Sequence, residues 1–137
     1  DECRQLRPED PYGVAFVDVD FLKTINSRLG HDGGDEAIKN AAACLKSVTS
    51  QGSFAGRLGG DEFGVFFCPT DALRLEEKAR QLHNSAPPEL RSVPFSLSSG
   101  FVRAPGTVPP LVALRAADDE LYKVKESGRG RFSLRIL

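Results

Sequence analysis

Apolar residues recur along this chain in two rhythms, and their succession lays out the elements. Gly13 to Val19 is a nearly unbroken apolar run of strand length that ends in Asp18-Val19-Asp20. Leu22, Ile25 and Leu29 then share one helical face, with Lys23 and Asn26 on others, and the helix is expected to stop at Gly30. Gly30-His31-Asp32-Gly33-Gly34-Asp35 reads as a glycine-rich loop, followed by a second helix with Ile38, Ala41, Ala42, Leu45 and Val48 as its core stripe. After a polar loop from Ser47 to Ser53, apolar stretches on either side of Gly59-Gly60 predict a tight hairpin. Pro69-Thr70-Asp71 breaks the chain and caps a third helix, with Ala72, Leu75, Ala79 and Leu82 facing inward and a charged outer face. Val93 to Val102 alternates as a strand does, and Pro105 to Pro110 is a turn-rich connection. Leu114, Ala117, Leu121 and Val124 mark a fourth helix ending at Gly128, and Phe132 to Ile136 is a last strand.

This order of strand, two helices, hairpin, helix, strand, helix and strand predicts an α+β sandwich with a largely antiparallel sheet. Such a sheet sets the exit of the first strand beside the central hairpin. Residues 1–12 read as a polar lead-in, and 13–137 as one domain with a single core.

Composition narrows the picture in three ways. A net charge of -1 argues against a duplex-binding surface, which needs a basic stripe. No apolar run reaches the length of a membrane span and no signal peptide opens the chain. A cytoplasmic setting without membrane contact by this domain is therefore expected, either alone or as the cytoplasmic part of a larger, membrane-anchored protein. Cys3, Cys44 and Cys68 form no zinc pattern with His31 and His83, and read as reduced thiols, with Cys44 and Cys68 as small apolar residues.

Each candidate for chemistry has a plain structural reading beside it. Asp61 and Glu62 at a Gly-Gly turn, taken alone, are an acidic surface turn. For Asp18 metal ligation is the stronger reading, whereas Asp20 reads first as the cap of the following helix. Asp35, taken alone, is a helix N-cap, and no Gly-Lys-Ser/Thr follows to make a phosphate-binding P-loop. Lys125, Arg129 and Arg131 suit a helix C-terminus electrostatically. Together the acids tell more: clustered carboxylates repel unless a cation sits between them, and oxygen ligands suit magnesium or manganese.

Four blocks then match one family in order. They are Phe16-Val17-Asp18-Val19-Asp20-Phe21-Leu22-Lys23-Thr24-Ile25-Asn26, Gly30-His31-Asp32-Gly33-Gly34-Asp35, Arg57-Leu58-Gly59-Gly60-Asp61-Glu62-Phe63, and the segment from Ala117 to Arg129. The chain, from about residue 13 to its end, resembles the GGDEF family, the diguanylate cyclases. The resemblance implies a palm-like fold of the ferredoxin-like, nucleotide-cyclase kind that joins two GTP molecules into cyclic di-GMP with release of pyrophosphate. It implies two magnesium ions (manganese as a substitute) per active site, held by Asp18, the Val19 carbonyl and Asp61. Asp61, or a metal-bound hydroxyl beside it, would help deprotonate the attacking 3′-hydroxyl, and Glu62 would support that site. Asn26 and Asp35 would read the guanine edge, and His31 would line the nucleotide loop. Main-chain groups around Phe21 and Leu22, with Lys23, Lys125 and Arg129, would bind phosphates.

The partners implied are GTP, a second GGDEF domain facing this one, and an upstream sensor or dimerising domain, so the isolated domain is expected to have low activity. Two family features are missing. Where an R-x-x-D product-inhibition motif would stand, the chain has Ser50-Gln51-Gly52-Ser53, and the D-x-L-T-G-L-x-N entry segment is absent from residues 1–12. The first gap predicts no product-inhibition site of that type. The missing entry segment, with the lack of a dimerising element, favours as the alternative a non-catalytic GTP-binding or regulatory interaction module. A polymerase-like enzyme acting on nucleic acid is disfavoured by the near-neutral charge and the lack of an aromatic-basic groove.

Overall fold

The computed structural model describes residues 10–49, 53–67 and 70–137. Cys3, Cys68, Pro69 and most of the lead-in and of the Ser50–Ser53 stretch lie outside the described residues. Among the described residues ten elements run β1 (Tyr12–Val19), α1 (Leu22–Val48), β2 (Ser53–Gly59), β3 (Glu62–Phe67), α2 (Ala72–Ser85), β4 (Glu89–Leu90), β5 (Val93–Pro94), β6 (Leu97–Ala104), α3 (Pro110–Glu126) and β7 (Phe132–Ile136). Five strands form one sheet in the order β2-β3-β1-β6-β7, antiparallel except for the parallel β6–β7 pair. The α+β sandwich with a largely antiparallel sheet expected from the element order is the fold observed.

Alternation along β1 decides which residues meet which helices. Ala15, Val17 and Val19 face a core shared with α1 and α2, built around Ile25, Leu45, Leu75, Leu82 and Phe101. Val14, on the opposite face, joins Ala113, Ala116 and Ala117 of α3 in a second cluster. Asp18 has the same parity as Val14, so it points toward α3 at the strand exit. Beyond the reach of α3 this second face is open over β2, where Phe54 and Leu58 are exposed and Phe16, Phe66 and Leu114 help line a groove of about 470 Å³. The free thiol of Cys44 is buried as a small core residue.

Three expectations are corrected. The glycine-rich segment after Gly30 is helical: α1 is two helices joined at a kink where Gly30 takes φ 75°, ψ −176°. Gly33 and Gly34 serve close packing, since a Cβ on Gly33 would lie 2.1 Å from Leu29 Cβ, and one on Gly34 would lie 1.8 Å from Asn26 Oδ1. Asp35 therefore sits inside the helix as an exposed residue and caps nothing. The strand expected from Val93 begins at Leu97, because Pro94 has no N–H for a ladder and Val93–Pro94 folds back on Glu89–Leu90 in a separate hairpin. From there Leu97 to Val102 is buried without alternation, since β6 is an interior strand with α3 on one face and α2 on the other. Asp71 does cap α2 as expected, accepting from Arg74 N at 2.8 Å.

Candidate active site

The site begins with strand register. β1 pairs with β3 so that Asp18 stands opposite Glu62, and one step further Val19 N donates to Asp61 O at 2.9 Å. The β2–β3 turn that carries Asp61 is made by Gly60 at φ 46° and braced by Arg57, whose Nε and Nη2 both donate to Gly60 O at 3.0 and 2.6 Å. The acids of two sequence blocks, 43 residues apart by the numbering of Asp18 and Asp61, are thus fixed side by side by backbone hydrogen bonds.

Asp18 is 2% exposed. Its Oδ2 is ion-paired with Lys125 from the last turn of α3, whereas Oδ1 is buried without a hydrogen-bond partner. Burial pushes the Asp18 carboxyl above its ordinary range, against the pull of Lys125 and with a further push from Asp61 and Asp20. Glu62 is raised as well, by burial first and then by the charges of Asp18 and Asp118. A buried acidic edge that keeps one carboxylate oxygen without a donor is chemically suited to a cation. Among the described residues no three Asp, Glu, His or Cys side chains gather into a metal cage. A hard cation that keeps water and phosphate oxygens needs only one or two carboxylates, so Asp18, Asp61 and the Val19 carbonyl fit magnesium in kind.

The second acid of β1 is used differently. Asp20 caps no helix: Phe21 stands at the N-cap of α1 in a left-handed conformation, with no side-chain cap bond. Instead Asp20 is completely buried and accepts from Ser96 Oγ, Ser98 Oγ and Gly130 N at 2.6, 2.6 and 3.1 Å. Arg129 Nη1 lies 3.6 Å from Asp20 Oδ1, and its guanidinium covers the Phe21 ring at 5.4 Å. Capping lost because a buried carboxylate surrounded by donors gains more than one exposed cap bond supplies.

Along α1, Asn26 is half-buried with its Oδ1 against Gly34, the residue before Asp35, while Lys23, His31 and Asp35 are exposed. His31 lies on the helix just past the kink, not on a loop. One turn beyond Asp35, Ile38 helps line a cavity of about 400 Å³ between α1 and the β2–β3 hairpin, with Leu45, Arg57 and Phe63 as further walls.

A family model, "Diguanylate cyclase, GGDEF domain", matches residues 2–131. The chain belongs to the GGDEF family. A curated relative, the response regulator PleD of Caulobacter vibrioides, is 35% identical over 130 residues, covering 88% of this chain and 28% of PleD. A diguanylate cyclase of Vibrio cholerae is 33% identical over 133 residues, covering 94% of this chain and 41% of that enzyme. The chain spans well under half the length of these curated relatives. Among solved structures, the active GGEEF domain of a diguanylate cyclase from Vibrio cholerae superposes with a TM-score of 0.84 at 30% identity, covering 97% of this chain and 86% of that one.

Within this GGDEF domain the structure brings Asp18, Val19, Asp61, Glu62 and Lys125 to one edge, with Phe21 and Arg129 joined to it through Asp20, and packs Asn26 against Gly34 on α1. The sequence reading passed over Asp20 as a hub and Arg57 as a turn brace. A signal for Arg57 existed, since a long donor three residues before a tight turn can reach its carbonyls. None existed for Asp20, whose donors come from Ser96, Ser98 and Gly130, more than 75 residues away in the chain by their numbers.

Proposed function

We propose that this domain is a diguanylate cyclase half-site, which binds one GTP and, paired with a second such domain, condenses two GTP molecules into cyclic di-GMP. The observation that carries the reading is the register that sets Asp61 against Val19 and Glu62 against Asp18, with a buried Asp18 oxygen lacking a donor.

In each of two equivalent steps a 3′-hydroxyl oxygen bonds to the α-phosphorus of the other nucleotide, the bond from that phosphorus to pyrophosphate breaks, and the hydroxyl proton leaves. Asp18, Asp61 and the Val19 carbonyl hold the divalent cation, and Glu62 supports them. When bound, that cation supplies positive charge to the triphosphate and acidifies the hydroxyl. Asp61 accepts or relays the hydroxyl proton. Lys125 and Arg129, at the end of α3, and Lys23, with the main chain of Phe21 and Leu22, bind phosphate oxygens. Asn26 and Asp35 read the guanine edge, the cavity lined by Ile38, Leu45 and Phe63 gives the purine an apolar wall, and His31 borders it from the helix surface. With Ser50-Gln51-Gly52-Ser53 in place of R-x-x-D, no product-inhibition site of that type is present.

Concentrated protein incubated with GTP and magnesium, followed by chromatography of the products, tests this. Cyclic di-GMP from the parent and none from Asp61→Ala is the expected result. GTP binding without product in either protein would replace the reading with that of a GTP-binding module.

A further inference from the structure

We propose that Asp20 is a positioning residue for the triphosphate, holding the Arg129 guanidinium and the glycine-flanked turn that carries it in a phosphate-ready orientation. The inference rests on the GTP reading above and deepens it. Ser96, Ser98 and Gly130 already satisfy the buried Asp20 carboxyl with three donors from two distant segments. A structural carboxyl so supplied has little need of an arginine. Arg129 nevertheless sits 3.6 Å away with its side chain 37% exposed, one side held and the other open. Phe21, 51% exposed, lies under the same guanidinium.

The backbone reinforces this. Phe21 at φ 57° and Arg129 at φ 66° both adopt left-handed conformations that L side chains avoid. Such strain persists where the surroundings over-determine it, and it clusters at ligand clamps. Here Asp20 supplies the surroundings: it precedes Phe21 in the chain, and it binds the amide of Gly130, which follows Arg129. One carboxyl therefore fixes the strained residue on either side of the site's phosphate end. Ser98 Oγ also accepts from Gly130 N at 3.0 Å, so the turn is tied to β6 as well.

Binding of two probes separates orientation from general structure: α,β-methylene GTP, whose scissile bond cannot break, and guanosine, which has no phosphate. With magnesium present, Asp20→Asn is expected to weaken the triphosphate analogue about tenfold and leave guanosine unchanged. In an Arg129→Ala background the same substitution should have no further effect, because both act through one group. Equal losses for the two probes, no loss, or full additivity with Arg129→Ala would overturn the proposal. If Asp20→Asn does not fold, Ser96→Ala removes one donor to Asp20 and should give a smaller loss of the same kind, confined to the triphosphate. A parent protein that binds neither probe sinks the GTP reading and this inference with it. A parent that binds both, weakened by Arg129→Ala and not by the change at Asp20, sinks this inference alone.

Discussion

Gly34 shows how a single hydrogen in place of a methyl can matter at residue scale. In an exposed helix, Gly→Ala stabilises by about 1 kcal/mol. Here the added Cβ would meet Asn26 Oδ1 at 1.8 Å, so the carboxamide must move. Gly34→Ala should therefore raise the KM for GTP by about tenfold, the factor that about 1.4 kcal/mol gives, while helix content is kept. Steady-state kinetics with circular dichroism check this; an unchanged KM would show that Asn26 takes no part in nucleotide binding. His83 supports a second prediction at this scale. Burial lowers its pKa from 6.5 to about 4, against a small upward pull from Asp20, and Nε2 meets Ser99 Oγ at 2.6 Å. The unfolded chain then binds more protons than the folded one between these values. Stability is complete above pH 6.5 and falls toward pH 4, by at most about 3 kcal/mol for a fully realised shift. Denaturation midpoints at pH 7 and pH 4.5 should differ less in His83→Gln than in the parent; an equal difference would assign the acid loss to other groups.

Between elements, the position of α3 decides where Lys125 and Arg129 arrive. Gly100 of β6 lies directly under that helix, where an added Cβ would stand 2.4 Å from both Ala117 O and Leu121 N. Backbone cannot yield as a flexible side chain does, so Gly100→Ala should destabilise the fold by about 1–3 kcal/mol or more. Calorimetric melting gives the result, and a wild-type midpoint would mean that α3 floats on the sheet. Helix stripes were readable in the sequence because burial of Leu75, Ala79 and Leu82, or of Ala117, Leu121 and Val124, follows the helical period. Gly30-His31-Asp32-Gly33-Gly34 was not, because glycine marks a loop and a close helix contact with the same letter. The strand onset was misplaced for a similar reason: Val93 and Phe95 carry the apolar alternation, but Pro94 interrupts the ladder.

For the whole molecule, the fold and the carboxylate edge were legible because β1 and the β2–β3 hairpin carry their acids at strand ends, where register alone joins them. The polar network around Asp20 was hidden because it is made of contacts distant in sequence. In the proposed reaction, which joins two nucleotides, the acidic edge, the Arg129 guanidinium and the cavity beside Ile38 make up one half of the site. On the proposed reading a second copy of the domain supplies the other half. The most direct measurement is the rate of cyclic di-GMP formation per unit of protein, with saturating GTP and magnesium, over a wide range of protein concentration. A specific rate that climbs with concentration, and that is abolished by Asp61→Ala, is the predicted result. A constant specific rate, or product formed equally by Asp61→Ala, would contradict the account of a two-domain active site built on this edge.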